Sequence, residues 1–548
     1  MIADINITEK SFGPNTLMTG VKFSVSDKEK VGLIGRNGIG KTTLFGLLTG
    51  ADKDFSGDIV YRKGISVVAT AQEHHIDDRQ TVLQYILTGL PEYASLSHII
   101  ETFPAIMGDD MKKIARYSEA LQRFDDKGFY RIEEKVVREL DNLQLPDIAH
   151  RPFSSLSGGQ KRLVEVVKVM HSDAQLALID EPTNHMDYVA KAQFIDWLKS
   201  ADEAMLIITH DRDVLREVDR IVELKDATAQ SYKGNYDDYL KQNATSTSSR
   251  MNEYEVTQRQ IDNLKKRVQY ARSKKASWGG TADKRNPFVV MEQKALREIR
   301  ELEKISKPSF WIDKASAAEL DFRSAERYRK YKAKNIRMNL RSDESRSKHV
   351  LVKAVDVSLG YNEPLFTGVN IDLREGEALE LRGRNGAGKT TLIKALLGHD
   401  HAVNIFAGEL TLDAHVRVGV YEQEVSSRYF ELSLHEAIER VYLDRNLPVS
   451  ETKVRQLMGD YLFTDSDLNT PVAKLSGGQK ARLQIIQMLA SDPQLLILDE
   501  PTNHLDLPSI EELETALGKY TGAILYVSHD GYFRQALGGA TVQVGSDS

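Results

Sequence analysis

Gly35-Arg-Asn-Gly-Ile-Gly-Lys-Thr-Thr43 returns later in the chain as Gly383-Arg-Asn-Gly-Ala-Gly-Lys-Thr-Thr391. Each copy follows an apolar run, Val31-Gly-Leu-Ile34 or Ala378-Leu-Glu-Leu381, and leads into a helical pattern, which places it at a strand-to-helix turn. That context is what a phosphate-binding loop requires: glycines let backbone N–H groups wrap phosphates at a helix N-terminus, and a lysine adds a point charge. One match could be a chance glycine-rich turn, but two in the same register point to a phosphate site used twice. The expected ligands are Gly35, Asn37, Gly38, Gly40, Lys41, Thr42 and Thr43 in the first copy, and Gly383, Asn385, Gly386, Gly388, Lys389, Thr390 and Thr391 in the second.

Working outward, the rest of the chain repeats as well. Leu156-Ser-Gly-Gly-Gln160 recurs as Leu475-Ser-Gly-Gly-Gln479, and Asp180-Glu-Pro-Thr-Asn-His185 as Asp499-Glu-Pro-Thr-Asn-His504. Lys41 and Lys389 are 348 residues apart, whereas Ser157 and Ser476, Glu181 and Glu500, and His210 and His529 are each 319 apart. The first copy therefore carries 29 extra residues, and the 351-residue separation of Gln72 and Gln423 puts them after that glutamine, in about 75–150. Tyr85, Leu87, Met111, Ile114, Leu121 and Phe124, set among charges, read there as an enlarged helical subdomain.

Leu176-Ala-Leu-Ile179 and Leu495-Leu-Ile-Leu498 are fully apolar, as buried parallel strands are, and each ends in Asp-Glu. The two acids divide the labour. Asp180 and Asp499, with Thr42 and Thr390, are expected to hold Mg²⁺, while Glu181 and Glu500 polarise the attacking water, because in-line phosphoryl transfer needs an aligned nucleophile more than a strong base. Gln72 and Gln423 can complete the metal shell, and His210 and His529, each just past an apolar strand, can reach a γ-phosphate. A histidine alone is more often structural; the same histidine in both copies favours function.

The two Leu-Ser-Gly-Gly-Gln elements resemble the signature of ATP-binding-cassette domains. That resemblance implies two composite ATP sites, in which Ser476, Gly477, Gly478 and Gln479 face the loop at 35–43, and Ser157, Gly158, Gly159 and Gln160 face the loop at 383–391. Phe12 and Tyr361 match the family's adenine-stacking aromatic. Met186, Ile39 and Gly531 depart from the family pattern, which usually has leucine, a smaller residue and arginine at these places, but no ligand is lost. The implied fold is α/β: two P-loop cassettes, each a parallel-sheet core with a helical subdomain, at 1–240 and 349–548, with the enlarged arm at about 75–150.

Between them, residues 241–348 hold 27 Lys and Arg against 14 Asp and Glu, a net charge of +13, and the remainder of the chain carries −20. Tyr254, Ile261, Leu264 and Val268, then Leu296, Ile299 and Leu302, recur at heptad-like spacing on either side of Ser277-Trp-Gly-Gly280 and Asn286-Pro287, which predicts an antiparallel helical hairpin. A helix over Arg250–Ala276 would project about 40 Å at roughly 1.5 Å per residue. Lys274, Lys275, Trp278, Lys284, Arg285 and Phe288 mix cations and aromatics at the tip, about 275–290, as an RNA-reaching surface would. The bland alternative is a solvated spacer. Against it, the basic excess continues through Arg323–Lys334, and the segment is far longer than pairing of two domains needs.

The chain has 548 residues and no cysteine, which excludes disulfides and thiolate chemistry and suits a reducing cytoplasm. It has no signal-peptide pattern and no apolar run near the roughly 20 residues that span a bilayer, so a soluble protein is expected. A tandem cassette pair with a basic helical linker after Tyr232-Lys-Gly-Asn-Tyr236 and with Pro-Thr-Asn-His in both copies resembles the ABC-F family. The resemblance implies a monomer whose cassettes close on ATP and Mg²⁺ and which binds the ribosome in the tRNA exit site, its linker against large-subunit rRNA and tRNA. Its members modulate translation or protect ribosomes from antibiotics. A DNA-binding tandem ATPase and the ATPase subunit of a drug exporter are the alternatives. Members of the first kind often carry an extra basic C-terminal coil, whereas this sequence stops at Val544-Gly-Ser-Asp-Ser548, and the second leaves the basic hairpin unexplained.

Overall fold

The computed structural model describes residues 1–13, 15–71, 79–184, 186–277, 287–303, 326, 328, 335–338, 349–398, 402–422 and 425–545. These form two compact units, one of Met1–Tyr236 with Ile336–Ser548, the other of Asp237–Asn335.

The first unit contains both cassettes. Runs such as Leu176–Asp180, Ala204–Ile208, Leu495–Asp499 and Ala523–Val527 are buried at every position, because helices cover both faces of a parallel sheet. Among the described residues the first sheet has the strand order Val67–Ala69, Leu176–Asp180, Ala204–Ile208, Lys30–Gly35, Arg220–Lys225, Thr228–Lys233, all parallel except the last pair. The second runs Val418–Tyr421, Leu495–Asp499, Ala523–Val527, Ala378–Arg382, Ala540–Gln543. In each, the strand that feeds the phosphate loop is central, so the loop emerges at the carboxyl edge where parallel sheets bind ligands. An antiparallel three-stranded sheet accompanies each core: Ala3–Phe12 between Asn15–Val25 and Ser56–Tyr61, and Val350–Gly360 between Pro364–Arg374 and Asn404–Leu412.

The stretch between the phosphate loop and the signature differs as the repeat offsets require. In the first cassette it holds helices Val82–Gly89, Tyr93–Ile106, Met111–Asp126 and Ile132–Asn142; in the second, Leu434–Leu443 and Glu451–Asp460. The added helices are fastened by a ring cluster, Tyr93 with Phe129 at 5.2 Å and Phe124 with Phe129 at 5.3 Å, and by Arg123 Nη2 donating to Glu92 at 2.7 Å. Phe124 is buried, Ile114 and Leu121 are half-buried, and Met111 is exposed.

In the second unit, one helix runs Tyr236–Ser277 and another Pro287–Leu302. Arg272 pairs with Glu292 at 2.7 Å and Lys265 with Glu303 at 3.6 Å, so the two run antiparallel. Their seam packs Ile261, Leu264, Val268 and Ile299 of the sequence pattern with Ala295, which the pattern did not include, while Leu296 and Leu302 are partly buried against it. The first helix begins 14 residues before Arg250, at Tyr236, just past a turn where Gly234 has φ 89°. Asp237 and Asp238 in its first turn complement the helix dipole. Its 42 residues correspond to about 63 Å. Lys274 is exposed at the end of the helix; the Lys275 side chain, Trp278, Lys284 and Arg285 lie outside the described residues.

Candidate active site

Both phosphate loops end on a glycine that adopts a left-handed backbone and starts a helix, Gly40 at φ 106° and Gly388 at φ 96°. A Cβ on Gly40 would lie 2.9 Å from Leu17 and Met18 side-chain atoms, and one on Gly388 2.9 Å from Phe366, so strain and space both demand glycine. Lys41 Nζ donates to the Gly35 carbonyl at 2.7 Å, and Lys389 Nζ to the Gly383 and Arg384 carbonyls at 2.7 and 2.8 Å. These bonds aim each ammonium across its own loop. Burial lowers the pKa of both lysines, opposed by the carboxylates beside them.

At the end of the next strand stand the acid pairs. Glu181 N donates to Ile208 O at 2.8 Å and Glu500 N to Val527 O at 3.0 Å, continuing the ladder by one bond. Both glutamates then turn with positive φ, 47° and 50°. That conformation costs a non-glycine residue of order 1–3 kcal/mol and recurs at functional sites. Each glutamate meets the histidine of the neighbouring strand: His210 Nε2 is 3.6 Å from Glu181 Oε1, and His529 Nε2 is 3.3 Å from Glu500 Oε1. His529 N also donates to Glu500 Oε2 at 3.2 Å. Removal from water raises Glu181 to about 8, with Asp180 adding to it, and raises Glu500 to about 7 and Asp499 to about 6. Burial also lowers His210 to about 3 and His529 to about 4, so both rings are neutral at neutral pH.

Among the described residues, both ring nitrogens of His210 and Oε1 of Glu500 are buried without a hydrogen-bond partner. Such orphaned atoms suit a ligand that brings its own donors and acceptors, a triphosphate with a water. Thr390 Oγ1 donates to Asp499 Oδ2 at 2.8 Å, an oxygen donor pair that fits a hard divalent cation. Gln72 and Gln423 lie outside the described residues.

The loop of the first cassette faces the second. A cavity of about 1010 Å³ is lined by Phe12, the loop at 37–43, Asp180, Glu181 and His210 on one side and by Ser476, Gly477 and Gly478 on the other. Gly478 is tight: a Cβ there would fall 2.2 Å from Asn37 Nδ2. Asn37 Nδ2 donates to His504 O at 2.8 Å and Asn37 N to Asp506 Oδ2 at 3.0 Å. The second loop repeats the last bond, Asn385 N to Asp187 Oδ2 at 3.1 Å. At the preceding glycine a Cβ on Gly477 would lie 3.4 Å from the His504 ring, whereas one on its counterpart Gly158 would meet no atom within 4 Å. Ser157 and Ser476 cap their helices, and the Gln160 and Gln479 carboxamides close the capping boxes. Phe12 is exposed at the cavity's rim; Tyr361, also partly exposed, does not line it.

Asp187 and Asp506 are functional residues that motif reading passed over. Both are buried, and both cap the following helix with Oδ1 while Oδ2 reaches the partner cassette's loop. The available signal was their spacing of 319, the same as that of the glutamates and histidines.

A family model described as ABC transporter matches residues 18–184 and 366–503, and a second of the same description matches 222–313. Curated relatives include the putative ATP-binding protein YdiF of Bacillus subtilis, 30% identical across 97% of this chain and 78% of its own length. ABC transporter F family member 5 of Arabidopsis thaliana is 30% identical over 98% of this chain and 74% of its own, and the probable ATP-binding protein YheS of Escherichia coli K12 is 29% identical over 94% and 75%. Among solved structures, the RNase-L Inhibitor superposes with a TM-score of 0.54 at 17% identity, covering 97% of this chain and 86% of that one. An archaeal ribosome recycling factor, solved in complex with a ribosomal stalk protein, gives 0.52 at 16% identity, with 98% and 89% covered. At that identity the structures speak to the fold.

Proposed function

This chain belongs to the ABC-F family of tandem ATP-binding cassettes, and from that premise we propose that its ATP-closed form binds the ribosome in the tRNA exit site and modulates translation or protects the ribosome from antibiotics. Its enzymatic activity is ATP hydrolysis. At each composite site Lys41 or Lys389 and the loop amides hold the phosphates, and Glu181 or Glu500 aligns the attacking water. His210 or His529, neutral, donates to the γ-phosphate, while Thr42 with Asp180 and Thr390 with Asp499 would hold Mg²⁺, which when bound would neutralise charge developing on the phosphates. Phe12 and Tyr361 stack on adenine. The protein works as a cytoplasmic monomer: the two cassettes that complete each other's sites belong to one chain.

The observation that carries the ribosome reading is the charge of the middle segment, 27 cations against 14 anions in 241–348, on an antiparallel hairpin attached to an otherwise acidic ATPase. Exposed Lys274 stands at the end of its long helix, and Lys275, Trp278, Lys284 and Arg285 extend the same cationic and aromatic composition. Among the described residues no helix is long and apolar enough to cross a membrane. The family resemblance and the fold shared with an archaeal ribosome recycling factor support the same choice.

The test is sedimentation of a Glu181→Gln, Glu500→Gln double variant with ribosomes, with and without ATP. The expected result is ATP-dependent co-sedimentation that weakens steeply with salt, since each phosphate contact contributes about 0.7–0.9 to the log–log salt slope. No binding at any salt, or binding that ignores ATP, overturns the proposal, and duplex or branched DNA then becomes the partner to try.

A further inference from the structure

Although the cassettes are repeats, the contacts next to their switch histidines run one way. Lys191 lies in the helix Tyr188–Ser200, is 7% exposed, and pairs with Asp211 at 2.8 Å and Asp213 at 2.6 Å, the residues just after His210. Asp211 Oδ1 also accepts from Asp213 N at 2.9 Å, which ties the residues just after His210 into one turn. From it Arg212 reaches into the other cassette, pairing with Glu514 at 3.1 Å and lying 5.0 Å from the centre of the Tyr532 ring, with Arg216 on the same ring at 4.9 Å. Tyr532 is three residues past His529. Asp530 feels the charges of Arg212, Asp211 and Lys191, while Glu500 and His529 feel that of Lys191. Lys191, His210, Asp211, Glu500, His529 and Asp530 all line the same cavity.

The turn bond is repeated, Tyr532 N donating to Asp530 Oδ1 at 2.8 Å, but among the described residues the ion pairs and the arginine contacts on the Tyr532 ring have no mirror image. Stepping 319 residues forward, Lys191 becomes Ile510, Arg212 becomes Gly531, Asp213 becomes Tyr532 and Arg216 becomes Gln535; stepping back, Glu514 becomes Ile195. The cations come from the first cassette, and Glu514, Asp530 and Tyr532 that receive them come from the second.

We propose that the Asp211–Arg216 segment, clamped by Lys191 and docked on Glu514 and Tyr532, is a one-way relay that positions the Glu500–His529 pair, so that turnover at the second ATP site depends on the first cassette's switch segment without the reverse. Lys191 and Arg212 are positioning residues. They are assigned to act through the Glu500–His529 pair and not on the reacting atoms. The proposal rests on the roles given above to Glu181 and Glu500, and those roles make it testable.

In a Glu181→Gln background hydrolysis reports the second site; in a Glu500→Gln background, the first. Glu514→Gln cuts the relay at its receiving end, and Lys191→Ile installs the residue that the other cassette carries. Each is expected to lower second-site kcat about tenfold with KM for ATP held within about twofold, and Glu514→Gln, which lies in the second cassette away from His210, is expected to leave first-site kcat within about twofold. Arg212→Lys, which keeps the charge but not the planar fork, should fall between wild type and Arg212→Leu. Equal losses at the two sites would make the cluster a structural clasp, and no loss at either would remove it from catalysis; both overturn the relay. The Glu181→Gln, Glu500→Gln double variant is the control. If it still turns over ATP, the glutamate assignment fails, and that failure is read separately. Should Lys191→Ile not fold, Glu514→Gln decides alone.

Discussion

Asp506→Asn separates the two tasks of one carboxylate. Asp506 Oδ1 accepts from Ser509 N at 3.1 Å inside its own cassette, capping the helix Leu507–Leu517, and Oδ2 accepts from Asn37 N at 3.0 Å across the interface. Burial works against its charge, yet the bonds from Ser509 and Asn37 hold its pKa below the usual carboxylate range. Asparagine caps helices about as well as aspartate, so folding stability should change by no more than about 0.5 kcal/mol. Across the interface the amide has one oxygen, already engaged in the cap, and turns an N–H toward the donor Asn37 N. Losing a hydrogen bond to a charged acceptor costs about 1.5–3 kcal/mol, and this one forms only on closure. The closed state should therefore weaken by about 10- to 150-fold. The assay is fluorescence transfer between one label on each cassette, titrated with ATP in the Glu181→Gln, Glu500→Gln background, alongside thermal unfolding. A higher ATP midpoint with unchanged unfolding is expected. A midpoint within about twofold of the parent would refute the assignment of Asp506 to closure.

Two further predictions follow from the same contacts. Gly478→Ala places a Cβ 2.2 Å from Asn37 Nδ2, so in the Glu500→Gln background alanine should suppress first-site turnover at least about tenfold; turnover within about twofold of the parent would remove that contact from the site. Thr390→Ala removes the hydroxyl that donates to Asp499 at 2.8 Å, and hydrolysis measured against Mg²⁺ in the Glu181→Gln background should require about tenfold more metal; an unchanged Mg²⁺ profile would sink that ligand assignment.

The elements that repeat were legible because repetition removes chance. Two glycine loops in register point to the α/β cassettes, and the 319 and 348 offsets place the first copy's extra residues in the stretch that holds the helices Tyr93–Ile106 and Met111–Asp126. The hairpin seam was legible because Ile261, Leu264, Val268 and Ile299 follow a simple period. The start of its first helix was not, since polar Lys241–Arg250 shows no apolar stripe and the signal lies in Gly234 and the two aspartates after it. Asp187 and Asp506 escaped because an aspartate before a helix reads as a cap, which each also is; its second oxygen points at a residue 198 or 469 positions away, and no local pattern records that.

That double use explains how the interface joins catalysis. A parallel sheet can bring Asp-Glu and a switch histidine together within one cassette, but it cannot make either sense the other cassette. The link comes from side chains on the first turns after the strands: Asp187 and Asp506 on the loops, Arg212 and Lys191 beside the switch. The aspartate contacts are made twice and treat the two sites alike; the arginine and lysine contacts are made once and do not. The contacts of Asp187 and Asp506 are therefore symmetric, and those of Lys191 and Arg212 are not. Duplicated cassettes with identical catalytic residues need nothing more than this for the order of ATP turnover at the two sites to be set by the chain.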